Sequence, residues 1–154
     1  MRSSKPVLLV EDDTVDAMTV RRAFKDLKIL NPLVHSGNGE EALAYLRDQT
    51  NDKPFLILLD LNMPKMNGTE FLKVVKADDE LRQIPVVVLT TSKEEYDIVR
   101  TFELSAAGYI VKPVDYKNFV EAIRTIDVYW TLSKLPEHKW GDKEDASLKI
   151  SVVG

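Results

Sequence analysis

Five short apolar runs narrow the choice of fold more than any other feature of the chain: VLLV at 7–10, LVHS at 33–36, FLILLD at 55–60, PVVVLT at 85–90 and GYIVK at 108–112. The third and fourth are apolar at every step rather than alternating. That suits strands buried on both faces, as in a parallel sheet between two helix layers. The intervening segments carry helical periodicity. Residues 14–28 group Val20, Ala23, Phe24 and Leu27, residues 39–48 group Ala42, Leu43 and Leu46, and residues 68–77 group Phe71, Leu72 and Val75. Residues 94–104 set Ile98 and Phe102 four apart, and residues 115–132 carry a stripe of Phe119, Ala122, Ile123, Ile126 and Trp130. Asp13 or Thr14 can cap the first helix and Asp115 the last.

Strand and helix thus alternate five times. This predicts an α/β fold, a doubly wound five-stranded parallel sheet with helices on both faces. Right-handed crossovers make the flavodoxin-like strand order 2-1-3-4-5 the natural choice. A length of 154 residues fits one domain, expected over 1–135. Residues 136–154 form a tail: EHKWGDKEDASLK is polar and mixed in charge, while the closing ISVVG fits a short docked strand as well as a loose end. A net charge of −4 gives no basic footprint for nucleic acid. The chain has no cysteine and two histidines, His35 and His138, which argues against disulfides, thiolate sites and a histidine-rich zinc site; His35 reads as structural, and Met18, Met63 and Met66 read as packing residues rather than a ligand group. No apolar run approaches the ~20 residues of a membrane span, and MRSSKP leads straight into a strand without a signal peptide. The expected location is the cytoplasm.

In open α/β sheets ligands bind at the carboxyl ends of the strands. Those ends carry Glu11, Asp12 and Asp13 after strand one, Asp60 and then Asn62 after strand three, Thr90, Thr91 and Ser92 after strand four, and Lys112 before Pro113 after strand five. With strand one beside strand three, three or four carboxylates share one pocket. Such a group repels itself and calls for protons or a cation. All-oxygen donors select a hard ion, Mg²⁺ or Mn²⁺. A metal clamp, the Lys112 cation, the Thr90 hydroxyl and a carboxylate nucleophile are the parts of a phosphoryl-transfer site. Asp60 closes a run that otherwise wants burial, and an acceptor role explains why a charge is held there.

VLLVEDD, LLDLNMPKMNG, IPVVVLTTS and AGYIVKP, in this order and spacing, resemble the receiver domain of two-component response regulators (CheY-like superfamily) over roughly residues 5–132. The resemblance implies that Asp60 is the phosphoacceptor. Asp12 and Asp60 bind the metal directly, the main-chain carbonyl of Asn62 is a third ligand, and Glu11 acts through water. Thr90 is the switch hydroxyl, Tyr109 the switch aromatic, and Lys112 contacts the phosphoryl group, with a cis peptide expected before Pro113. The segments DDELRQIPVVVLTTS and IDVYWTLSKLPE are similar to stand-alone receivers that partner bacteriophytochromes. Two departures stand out. Glu11 replaces the commoner aspartate, and Thr91 stands where alanine is frequent and is expected to narrow access to the site.

The implied function is that of a single-domain response regulator. It accepts a phosphoryl group from a sensor histidine kinase, a bacteriophytochrome among the candidates, and signals by contact with a downstream protein. It is no enzyme in its own right but assists its own phosphorylation and dephosphorylation. A symmetric homodimer is expected through helix four, strand five and helix five. There Tyr116, Val120, Val128, Tyr129 and Leu132, with Tyr96 and Val99, exceed what one core stripe needs. One rival is a phosphorylation-independent interaction module. A second is a haloacid-dehalogenase-type phosphohydrolase, which would need an acid where Asn62 stands and its nucleophile on the first strand. A third is an FMN module, whose phosphate would be repelled by EDDTVD.

Overall fold

In a computed structural model the described residues are 5–61, 66–90, 108–111 and 115–132. Five parallel strands, β1 (Val7–Val10), β2 (Leu33–Ser36), β3 (Leu56–Asp60), β4 (Val86–Thr90) and β5 (Gly108–Val111), form one sheet in the order β2-β1-β3-β4-β5. Helices α1 (Thr14–Asp26), α2 (Gly39–Arg47), α3 (Gly68–Ala77) and α4 (Tyr116–Leu132) accompany it. The expected fifth helix is therefore α4. The helix expected over 94–104 lies outside the described residues, as do Thr91 and residues 136–154.

The alternation along each strand builds two cores. Val7 and Leu9 of β1, Leu56 and Leu58 of β3, Val87 and Leu89 of β4 and Ile110 of β5 pack with Ala17, Val20 and Phe24 of α1 and with Phe119, Ile123 and Ile126 of α4. Leu8 and Val10, Ile57 and Leu59, and Val86 and Val88 face the other way, onto Leu43 and Leu46 of α2 and Phe71, Leu72 and Val75 of α3. Every residue of β1 and β3 is buried, as their unbroken apolar runs require. Full burial of one such aliphatic or aromatic side chain stabilises by about 1.5–3 kcal/mol, so the sheet centre dominates the energetics.

Helix ends follow local chemistry. Asp13 is the N-cap of α1: its side chain accepts from the amides of Val15 at 2.8 Å and Asp16 at 3.1 Å. Asp115 does the same for α4 through the Asn118 amide at 2.8 Å. At the far end of α1, Lys28 takes the left-handed conformation (φ 58°). The Ile29 amide then reaches the Phe24 oxygen and the Lys28 amide reaches the Lys25 oxygen, closing the helix two residues before the expected boundary at 28. A single 3-10 turn at Leu81–Gln83, unanticipated from periodicity, leads into β4.

Two expectations about packing change. Met18, expected to pack in the interior, is 67% exposed on α1. Its place is two positions off the Val20–Phe24 stripe. Tyr116 and Val120, counted as spare surface on the last helix, are partly buried against the first core. Tyr116 also donates its hydroxyl to Asp26 at 2.6 Å and carries the Arg22 guanidinium 4.0 Å from its ring centroid. Val128 does stand out, at 49% exposure.

Candidate functional site

The parallel register of β1 on β3 pairs Val10 with Leu59, so Glu11 and Asp60 leave the sheet side by side. Asp60 is the last residue of β3 and only 4% exposed, Glu11 is fully buried just beyond β1, and Asp12 is exposed at the turn into α1. One carboxylate oxygen from each lies within 4.8 Å of the others. Two oxygens on opposite sides of one Mg²⁺ are about 4.2 Å apart, twice the usual bond length. The three groups therefore need only small rotations to share a hard divalent cation, and an all-oxygen set is the chemistry such an ion selects. Three like charges this close repel, and a cation relieves that repulsion.

Asp13 does not join them. Its carboxylate caps α1, and its own amide donates to Glu11 Oε2 at 3.3 Å, which steadies the buried carboxylate. The cluster is thus three carboxylates rather than four.

The segment leaving β3 is held tightly. The Gly68 amide donates to the Leu61 oxygen at 3.1 Å. A Cβ on Gly68 would fall inside contact distance of the Asp60 carbonyl oxygen and 2.5 Å from the Leu61 Cα. Glycine is required here because the start of α3 lies directly on the backbone of Asp60. A reciprocal capping box sets that start: the Glu70 amide donates to the Asn67 side chain at 2.9 Å, and the Asn67 amide donates to Glu70 Oε1 at 3.0 Å. Asn38 caps α2 through the Glu41 amide at 2.9 Å. The adjoining Gly39 donates its amide to the Met66 oxygen at 3.3 Å, and a Cβ on it would meet that oxygen at 2.8 Å. Two helix starts are thereby pressed against described backbone near the site, α3 against Asp60 and Leu61 and α2 against Met66.

Thr90 ends β4, where Asp60 pairs with Leu89, and Tyr109 lies in β5 opposite Val88. Both backbones run beside the site; their side chains, with Asn62, Lys112 and Pro113, lie outside the described residues. Sequence reasoning did not single out Gly68, Gly39 or the caps Asn38 and Asn67, although Asn-x-x-Glu at 67–70 is a readable helix-start signal. It set His35 aside as structural. The ring Nε2 of His35 lies 2.6 Å from the main-chain oxygen of Glu11, a contact that agrees with a structural role.

A buried aspartate at the end of the central strand, beside a carboxylate pair at the end of its neighbour, is the arrangement of a receiver. Residues 7–124 match the response regulator receiver domain family, and the chain belongs to that family. It is 38% identical over 130 residues to the response regulator Rcp1 of Synechocystis sp., covering 82% of this chain and 88% of that one. The Mn²⁺-bound form of Rcp1 superposes with a TM-score of 0.75 at 37% identity, over 82% of this chain and 94% of that one. The phosphorylated cyanobacterial phytochrome response regulator RcpA gives a TM-score of 0.77 at 37% identity, over 87% of this chain and 98% of that one. The bacteriophytochrome response regulator RtBRR gives 0.68 at 44% identity, over 78% and 76%. No helix among the described residues is long and apolar enough to cross a membrane.

Proposed function

We propose that this receiver, spanning 1–135 with a tail at 136–154, accepts a phosphoryl group on Asp60 from the phosphohistidine of a sensor kinase. The observation that carries the reading is the meeting of Glu11, Asp12 and Asp60 within 4.8 Å at the carboxyl edge of the sheet. Asp12, Asp60 and the Asn62 main-chain carbonyl would hold Mg²⁺ or Mn²⁺, with Glu11 acting through water. When bound, that cation neutralises charge on the phosphoryl oxygens. An Asp60 oxygen attacks phosphorus, the phosphorus–nitrogen bond to the kinase imidazole breaks, and the ring nitrogen keeps the electron pair. The product is an acyl phosphate. Lys112 offsets charge on one phosphoryl oxygen and the Thr90 hydroxyl donates to another. The chain's contribution is position and electrostatics. The same groups orient water for dephosphorylation, and Thr90 and Tyr109 move as the switch.

The known forms of Rcp1 with Mn²⁺ and of phosphorylated RcpA support the cation and the modification, each as a property of that protein. The likeness to phytochrome-associated regulators favours a phytochrome-type kinase, a bacteriophytochrome among them, acting in the cytoplasm. Hydride reduction after labelling, followed by peptide mapping, locates the site. Label on the peptide containing Asp60 is expected; label on any other carboxylate overturns the assignment.

Output is contact with a downstream protein, and the regulator pairs with itself through the 94–104 segment, β5 and α4. With Tyr116 and Val120 turned partly to the core, Val128 is the described apolar residue that this surface leaves exposed. Light scattering is expected to show a dimer for the wild type and a shift toward monomer in Val128→Glu, because a buried unpaired charge at an interface is costly. A wild type that stays monomeric at high micromolar concentration, with and without the phosphoryl group, would rule the dimer out.

A further inference from the structure

We propose that His35 is a positioning residue for the cation site: its bond to the Glu11 carbonyl fixes the peptide unit joining Glu11 to Asp12, and so the aim of both carboxylates. The inference rests on reading Glu11, Asp12 and Asp60 as that site. A carbonyl oxygen only accepts, so the His35 Nε2 carries the hydrogen in this 2.6 Å bond. The peptide unit is planar, so holding the Glu11 oxygen also places the nitrogen and Cα of Asp12.

This peptide sits where the sheet gives out. The paired residues of β1 end at Val10. Glu11 keeps a sheet-like bond through its amide, to the Ser36 oxygen at 3.0 Å. Beyond it the chain turns toward α1, whose first cap is Asp13. Successive residues of β2 therefore hold Glu11 at both its polar groups: Ser36 at the amide and His35 at the carbonyl. His35 is exposed on the edge strand, where the ring could be fully hydrated. It reaches instead to a main-chain oxygen 24 residues away. Groups that orient the ligands of a metal typically cost 10–100-fold in metal affinity when removed.

The test is calorimetric titration with Mg²⁺ of wild type, His35→Ala, His35→Gln and Asp12→Ala, with thermal melts in chelator. The glutamine amide nitrogen reaches about as far from the backbone as the imidazole Nε2 and can donate the same bond. Affinity in His35→Ala is expected to fall about tenfold, at the low end of such effects because the ring is exposed. His35→Gln is expected to restore it, with melting in chelator unchanged in both. Unaltered affinity in His35→Ala, with binding lost in Asp12→Ala, overturns the positioning role alone. A lower melting point in chelator that glutamine does not rescue also overturns it, by showing a role in the fold. A wild type without Mg²⁺ binding overturns the cation-site reading and this inference together.

Discussion

Alanine at position 68 will cripple phosphoryl acceptance by Asp60 and destabilise the fold. The added methyl would meet the Asp60 carbonyl oxygen and the Leu61 Cα, which are backbone atoms and cannot rotate aside. Either α3 moves away or the end of β3 tilts. Overpacking of this kind costs about 1–3 kcal/mol. Against it stands the better helix propensity of alanine, worth at most about 1 kcal/mol in a helix interior and less in the first turn, where Gly68 lies. The clash wins. Catalytic geometry is still less tolerant, since about 1 Å of misplacement can cost on the order of 100-fold in rate. Urea unfolding is therefore expected to show a loss of about 1–3 kcal/mol, and labelling by a small phosphoryl donor a rate lower by tenfold or more. A Gly68→Ala protein that matches the wild type in both measurements would show that α3 does not constrain Asp60.

Asp12→Ala is expected to abolish Mg²⁺ binding near neutral pH while leaving the fold intact. Asp12 is exposed and no core packing depends on it, and it is one of three carboxylates drawn within 4.8 Å. Removing it relieves repulsion in the metal-free protein, so the melting point in chelator is expected to rise slightly. Ligand that binds only the folded state stabilises by RT ln(1 + [L]/Kd). The wild type should accordingly melt higher as Mg²⁺ is added, and the variant should not respond. A variant that melts lower in chelator but retains the Mg²⁺ response would make Asp12 a structural residue.

The order of elements was legible because burial on both faces leaves an unmistakable mark. The runs FLILL and VVVL are too short for helices and too apolar for half-exposed strands, and β3 at Leu56–Asp60 and β4 at Val86–Thr90 are built on them. The cluster of Glu11, Asp12 and Asp60 was legible for a related reason: parallel order puts the ends of β1 and β3 side by side, whatever the loops do. Features set by contact across sequence distance were not. Nothing in VHS says that His35 will reach Glu11, and nothing in MNGTE says that a helix start will rest on the strand's last peptide. For Asp13 the sequence allows two uses, a cap of α1 or a fourth carboxylate in the pocket, and the otherwise unsatisfied amides of Val15 and Asp16 decide for the cap. Met18 shows the converse error, an apolar residue assigned to the interior by type although it lies off the buried stripe of its helix.

On the proposed function, Asp60 takes a phosphoryl group in a site able to drive the transfer with little help from a kinase. Intact mass spectrometry after incubation with acetyl phosphate and Mg²⁺ tests it most directly, run beside Asp60→Asn and beside wild type in chelator. One added phosphoryl group on the wild type alone, dependent on Mg²⁺, is the expected result. Modification of Asp60→Asn to the same level as the wild type would contradict it.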